Sequence, residues 1–133
     1  MTIRVLVIDP DSRILHEVSQ YLAFHGYSVV TAAAGDEGLR RFRAFAPEVV
    51  VTELLMPEKD GIECLLQIKH EAPRTKVLAV SAGEGLLGSE FVLSLAVKLG
   101  ADGVLKKPFT CEQLAHAIQS IFPGSPGPPP QKL

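Results

Sequence analysis

The sequence predicts a doubly wound α/β domain, in which a parallel sheet is covered by helices on both faces. Two observations predict it: short apolar runs of strand length recur along the chain, and helix-length patterns separate them. Strands that alternate with helices in this way are joined by crossovers, which make neighbouring strands parallel. The length of 133 residues corresponds to one domain of this kind.

Five strands and five helices are predicted in alternation. The apolar runs cover residues 3–8, 27–31, 49–52, 77–80 and 104–105. The first helix places apolar residues at spacings of three and four and ends near residues 25–26, and the second covers about 36–45. Capping-box patterns begin the third helix at Asp60 and the fifth at Thr110, and the fourth covers 89–99, with Gly100 as its stop.

Composition and charge exclude several classes of protein. The chain is 47% hydrophobic and 21% charged with a net charge of -2, so no strong positive field would attract nucleic acid or an anionic membrane. Without a secretion signal or an unbroken apolar span, we expect a soluble cytoplasmic protein, with Cys64 and Cys111 as reduced thiols. The domain is predicted over residues 1–122, and the Pro/Gly-rich residues 123–133 are predicted to be a tail or linker.

Polar residues follow four of the predicted strands. Asp9-Pro10-Asp11 follows the first strand, Glu53 the third, Ser81 the fourth and Lys107 the fifth. The carboxyl ends of parallel strands meet at one rim, where carboxylates suit Mg²⁺, and hydroxyl and ammonium groups suit a phosphoryl group. Each residue also has a plain structural interpretation: Asp9 as a helix N-cap before Pro10, and the others as a strand-end carboxylate, a turn hydroxyl and a surface charge.

Several short motifs together resemble the receiver domain of two-component response regulators over residues 2–122. The motifs are Val5-Leu6-Val7-Ile8-Asp9, Met56-Pro57 with Asp60-Gly61, Val80-Ser81-Ala82, Gly100-Ala101-Asp102-Gly103 and Lys107-Pro108-Phe109. The resemblance implies a flavodoxin-like (βα)5 switch domain with strand order 2-1-3-4-5. It also implies soluble signalling rather than enzymatic function.

The resemblance assigns a role to each rim residue. Asp9 and the backbone carbonyl of Leu55 would bind the metal, Ser81 would supply the switch hydroxyl and Lys107 would contact phosphate. The phosphoacceptor position, also a metal-ligand position, falls on Glu53 instead of an aspartate. The second acidic position after the first strand falls on Pro10, for which Asp11 is a weak substitute.

These two departures predict slow phosphoryl transfer and weak Mg²⁺ binding at the rim. Glutamate carries its oxygens more than about 1 Å farther than aspartate, and a misplacement of that size can cost about 10²-fold in rate. Pro10 offers no carboxylate, so at most weak Mg²⁺ binding is expected and no other cofactor. Two interpretations of Glu53 stay open: a permanent partial imitation of phosphate, or a simple ion pair with Lys107.

Two further departures concern switching and the loop before the fourth helix. The family's aromatic switch residue has no counterpart in residues 103–105. Residues 83–88 form a longer connection than is usual, predicted to be a glycine-rich loop in which Leu86 and Leu87 either fold back on the core or meet a partner.

The leading hypothesis is a degenerate receiver that acts as a regulatory protein-interaction module. The alternatives are an active Mg²⁺-dependent phosphoacceptor of a phosphorelay and, ranked low, a flavin-binding protein of the same fold. The expected partners are proteins: a histidine kinase, an output domain, or a second copy. A homodimer would use the fourth helix, fifth strand and fifth helix, around Ser94, Lys98 and Gln119.

Overall fold

A computed structural model of the chain describes residues 2–57, 60–84 and 87–124, with the backbone alone at residues 83, 84, 87 and 89. Its elements are β1 (Arg4–Ile8), α1 (Ser12–Phe24), β2 (Ser28–Ala32), α2 (Gly35–Phe45), β3 (Val49–Glu53), α3 (Gly61–Glu71), β4 (Lys76–Ser81), β5 (Gly83–Glu84), β6 (Leu87–Gly88), α4 (Ser89–Lys98), β7 (Gly103–Lys106) and α5 (Cys111–Ile121). The predicted alternation of strands and helices is confirmed.

Five parallel strands form the main sheet in the order β2-β1-β3-β4-β7. This is the predicted order 2-1-3-4-5, because β7 is the fifth strand of the sheet. The strands β5 and β6 form a separate antiparallel pair in place of the predicted loop. The predictions for the Leu86 and Leu87 side chains lie outside the described residues.

The sheet is buried on both faces. Along β1, Leu6 and Ile8 pack into the cluster beneath α2, α3 and α4, while Val5 and Val7 pack into the cluster beneath α1 and α5. All four are at most 2% exposed, which explains why the strand sequence is continuously apolar rather than alternating.

The predicted caps fix where α3 and α5 begin. The Asp60 carboxylate accepts a hydrogen bond from the Glu63 N–H at 2.9 Å. Thr110 and Gln113 form both bonds of a capping box at the start of α5. After α4, Gly100 adopts a positive φ of 113°, as expected of a glycine that ends a helix.

The Asp102 carboxylate connects neighbouring elements at the amino-terminal edge of the sheet. Asp102 Oδ2 lies 2.7 Å from Lys69 Nζ and accepts a hydrogen bond from the Val77 N–H at 2.8 Å. These contacts join α3, β4 and the turn before β7, at the edge opposite the strands' carboxyl ends. Within the described part of the chain, no helix combines the length and apolar character needed to cross a membrane.

Candidate functional site

The structure brings Asp9, Glu53, Ser81 and Lys107 together at one rim of the sheet. Asp9 directly follows β1, Glu53 and Ser81 end β3 and β4, and Lys107 directly follows β7. The backbone continues the strand ladder there, since the Lys107 N–H donates to the Ser81 carbonyl at 3.1 Å. The Lys107-Pro108 peptide bond is cis.

Lys107 joins two buried carboxylates. Its Nζ lies 2.7 Å from Asp9 Oδ2 and 2.7 Å from Glu53 Oε1. The side chains are 16%, 4% and 6% exposed for Lys107, Asp9 and Glu53 respectively, so water screens these contacts poorly. We call these three residues the Lys107 cluster. One ammonium between two carboxylates leaves the cluster with excess negative charge.

The longer side chain of Glu53 turns back onto its own backbone. Its Oε2 accepts hydrogen bonds from the Leu54 N–H at 2.7 Å and the Leu55 N–H at 3.0 Å. Both carboxylate oxygens of Glu53 therefore have donors. These backbone donors could not be predicted from the sequence, because no residue type signals a main-chain N–H.

A close approach of α3 to the end of β3 positions this backbone. The Gly61 N–H donates to the Leu54 carbonyl at 2.9 Å. A Cβ atom on Gly61 would lie 2.0 Å from the Glu53 carbonyl oxygen and 2.6 Å from the Leu54 Cα. Only glycine fits there without displacing the backbone that holds Glu53.

The N-cap of α1 is Asp11, so the alternative interpretation of Asp9 as a cap is wrong. Asp11 Oδ1 accepts a hydrogen bond from the Arg13 N–H at 2.9 Å, and that bond, above all, lowers the pKa of Asp11. Asp9 Oδ1 instead accepts from the Asp11 N–H at 2.8 Å. Pro10 precedes the helix, and the carboxylate that caps the first turn comes after it.

Ser81 supplies a hydroxyl group that nothing else in the site uses. The residue is fully buried, and its Oγ has no hydrogen-bond partner among the described residues. A buried hydroxyl without a partner is costly, so such a group in a native rim is a notable feature. Glu53 lies on the adjacent strand, but its oxygens bond Lys107 and the backbone rather than Ser81.

The geometry does not fit a resident Mg²⁺ ion. The carboxylates of Asp9 and Glu53 already share the Lys107 ammonium, and Asp11 is engaged as a helix cap. For Leu55, the contact at the site is made by its N–H, as a donor to Glu53. Across residues 2–57, 60–84 and 87–124, no three His, Cys, Asp or Glu side chains cluster so as to hold a metal.

The surroundings of Lys107 predict a pH dependence of stability. Burial alone would lower the pKa of Lys107, but the hydrogen bonds to Asp9 and Glu53 and their charges outweigh it and raise the pKa above the ordinary 10.5. A cation with a raised folded-state pKa contributes stability that is complete below its unfolded-state pKa and lost as pH rises through the folded value. We therefore expect the contribution of Lys107 to the free energy of unfolding to decline only above about pH 10.5.

Urea unfolding of the wild type and Lys107→Met across alkaline pH measures this contribution as a difference. Burial also raises the pKa values of Tyr21 and Cys111, but both groups titrate in both proteins and cancel. A stability difference that stays constant far above pH 10.5 would contradict the expectation.

Comparisons with known proteins agree on one family. The family model described as response regulator receiver domain matches residues 5–119. Response regulator MprA of Mycolicibacterium vanbaalenii is 33% identical over 122 residues, covering 92% of this chain and 51% of that protein. The chain thus spans about half the length of the curated relatives it matches.

Solved structures show the same fold. A response regulator receiver domain protein from Clostridium thermocellum superposes with a TM-score of 0.81 at 35% identity, covering 90% of this chain and 93% of that one. Chemotaxis response regulator CheY4 of Vibrio cholerae gives a TM-score of 0.82 at 27% identity, covering 92% of this chain and 100% of that one.

Proposed function

This chain belongs to the response regulator receiver domain family, and from that membership we propose that it is a degenerate receiver. It acts as a regulatory protein-interaction module in signal transduction and does not take phosphate through Mg²⁺. The single observation that carries the proposal is the engagement of both Glu53 oxygens, one by Lys107 and one by the backbone N–H groups of Leu54 and Leu55.

This engagement opposes phosphoryl transfer. A nucleophilic oxygen must approach phosphorus in line, within about 3–3.5 Å, with a lone pair free to form the bond. Hydrogen bonds from an ammonium and two N–H groups stabilise the ionised carboxylate where it lies and make it a poorer nucleophile. Leaving this arrangement would also break three hydrogen bonds of a buried, charged group.

The position of Glu53 favours the ion-pair interpretation over phosphate imitation. A group that imitated a phosphoryl oxygen should reach the switch hydroxyl at Ser81 as well as Lys107. Glu53 bonds Lys107 at 2.7 Å, while Ser81 Oγ has no partner in the described part of the chain. The Lys107 cluster therefore supports the proposal that an internal ion pair keeps the domain in one state.

A partner surface is proposed on α4, β7 and α5. Ser94, Lys98 and Gln119 are exposed there, as expected of a surface available for contact. Nearby, Phe91 is 60% exposed and Val104 is 38% exposed, and apolar side chains in this position favour a protein partner. We propose a second copy of the chain, or an output domain, as that partner.

One observation favours the second candidate, an active phosphoacceptor. The unpartnered Ser81 hydroxyl could donate to a phosphoryl oxygen if a phosphate were attached at the rim. In that case Glu53 would have to leave Lys107, and Mg²⁺ would have to displace the ammonium from the carboxylates.

Phosphodonor treatment separates the two candidates. We expect no mass increase of about 80 Da when the wild type is incubated with acetyl phosphate and Mg²⁺ and weighed intact. The matched variant, Pro10→Asp with Glu53→Asp, restores the two acidic positions. It is expected to gain a Mg²⁺-dependent, base-labile adduct that shows the assay works. A stoichiometric adduct on the wild type, lost in Glu53→Gln, would establish the active receiver instead.

A further inference from the structure

A cleft of about 450 Å³ lies between α1 and the segment that leads from β7 into α5. Ile14 and Val18 line it from α1, and Pro108 and Phe109 line it from the opposite side. This volume falls within the range of about 300–1,000 Å³ that is typical of small-molecule sites. Cys111 at the start of α5 lines the cleft, but the residues named for the partner surface, Phe91, Ser94, Lys98, Val104 and Gln119, do not.

The walls of the cleft are mainly apolar. Cys111 adds a thiol, and burial, followed by the charges of Glu17 and Glu112, raises its pKa above the ordinary 9.0. The thiol therefore stays neutral at physiological pH. An aromatic or alicyclic molecule would bury its surface against these walls, with the Phe109 ring as a flat contact.

Two donors in the lining can orient such a molecule. Thr110 Oγ1 accepts a hydrogen bond from the Gln113 N–H, which leaves its O–H free to donate. Lys107 also lines the cleft, and its bonds to Asp9 and Glu53 use two of its three ammonium protons. Both groups suit an oxygen acceptor on the ligand.

The charges select against an anion. The Lys107 cluster has one more carboxylate than ammonium, and Glu17 adds a further negative charge to the lining. A ligand carboxylate or phosphate would face this excess negative charge at short range. A neutral oxygen avoids that repulsion.

We propose that this cleft binds a small, neutral, apolar molecule with a carbonyl or hydroxyl oxygen. Because Lys107 belongs to both the cleft and the Lys107 cluster, an occupant would lie against the rim of the sheet. The proposal goes beyond the degenerate-receiver function and does not depend on whether Glu53 takes phosphate. A small-molecule ligand would give this chain an input other than phosphorylation.

The probe for the test is 6-propionyl-2-dimethylaminonaphthalene, a neutral ketone whose emission shifts to the blue in apolar surroundings. We expect the probe to bind the full chain saturably. The blue shift of its emission, measured with direct excitation of the probe, reports the binding. Filling the cleft with Ile14→Trp should weaken binding by about tenfold or more, since pocket shape is sensitive to added bulk. His16→Trp, which is exposed and two residues along α1, so that it faces away from Ile14, should leave binding within about twofold.

A charged analogue tests whether the negative charge around the cleft repels anionic ligands. The anionic 6-dimethylamino-2-naphthoate should bind about tenfold or more weakly than the ketone, and Glu17→Gln should recover part of that loss. Circular dichroism of each variant confirms that it is folded. Absence of saturable binding by the ketone would overturn the proposal and leave the cleft to a protein segment. The proposal would also be overturned if the ketone bound Ile14→Trp as tightly as the wild type. The same holds if the naphthoate bound the wild type as tightly as the ketone does.

Discussion

Gly61→Ala is expected to lower the free energy of unfolding by about 3 kcal/mol or more. The new Cβ would lie 2.0 Å from the Glu53 carbonyl oxygen and 2.6 Å from the Leu54 Cα, and backbone atoms cannot rotate away as a side chain can. Either α3 must lift from β3 or the end of β3 must shift. Urea unfolding monitored by circular dichroism measures the loss.

Gly38→Ala is the matched control, since Gly38 is also a buried helical glycine. Its Cβ would lie 2.6 Å from Ile8 Cδ1, the end of a flexible side chain, so the cost is expected to be only about 1 kcal/mol. Similar losses in the two variants would show that the backbone contact at Gly61 is not decisive.

Lys107→Met is expected to cost about 3–5 kcal/mol near pH 7, because it leaves buried carboxylates without their cation. Asp9 and Glu53 are both almost fully buried, and each loses a contact of 2.7 Å. Chemical unfolding near pH 7 measures the loss.

The double variant Lys107→Met with Glu53→Gln provides the control. Removing one of the two unpaired charges should restore a substantial part of the loss. A surface comparison is Arg13→Ala, whose ion pair with Asp11 involves an arginine that is 87% exposed and should leave the free energy of unfolding almost unchanged. An equally small change for Lys107→Met would mean that the Lys107 cluster does not stabilise the fold.

The sequence was sufficient to predict most of the fold, because its strands and helices have distinct periods. The apolar run that includes Val5 and Leu6 has no alternation, and this predicted a strand buried on both faces. The residues at the start of α5 predicted its capping box for an equally local reason. The β5–β6 pair was missed, since glycine-rich strands of two residues have no detectable periodicity.

The site could be predicted in position but not in its bonds. Parallel strand ends must converge, so the meeting of Asp9, Glu53 and Lys107 followed from topology. Which carboxylate caps α1 depended on the backbone path through Pro10, and Asp11 rather than Asp9 holds that place. The turn of Glu53 onto its own main chain depends on side-chain rotamers that no sequence pattern encodes.

The contacts of Asp102 have a consequence for how this rim could change over time. They brace the far edge of the sheet, where Lys69 and the start of β4 meet the turn into β7. Because that brace shares no residue with Asp9, Glu53 or Lys107, its stabilisation should be additive with theirs. A single substitution at the rim therefore leaves the stabilisation from the Asp102 contacts in place, even where the rim itself loses about 3–5 kcal/mol, as expected for Lys107→Met.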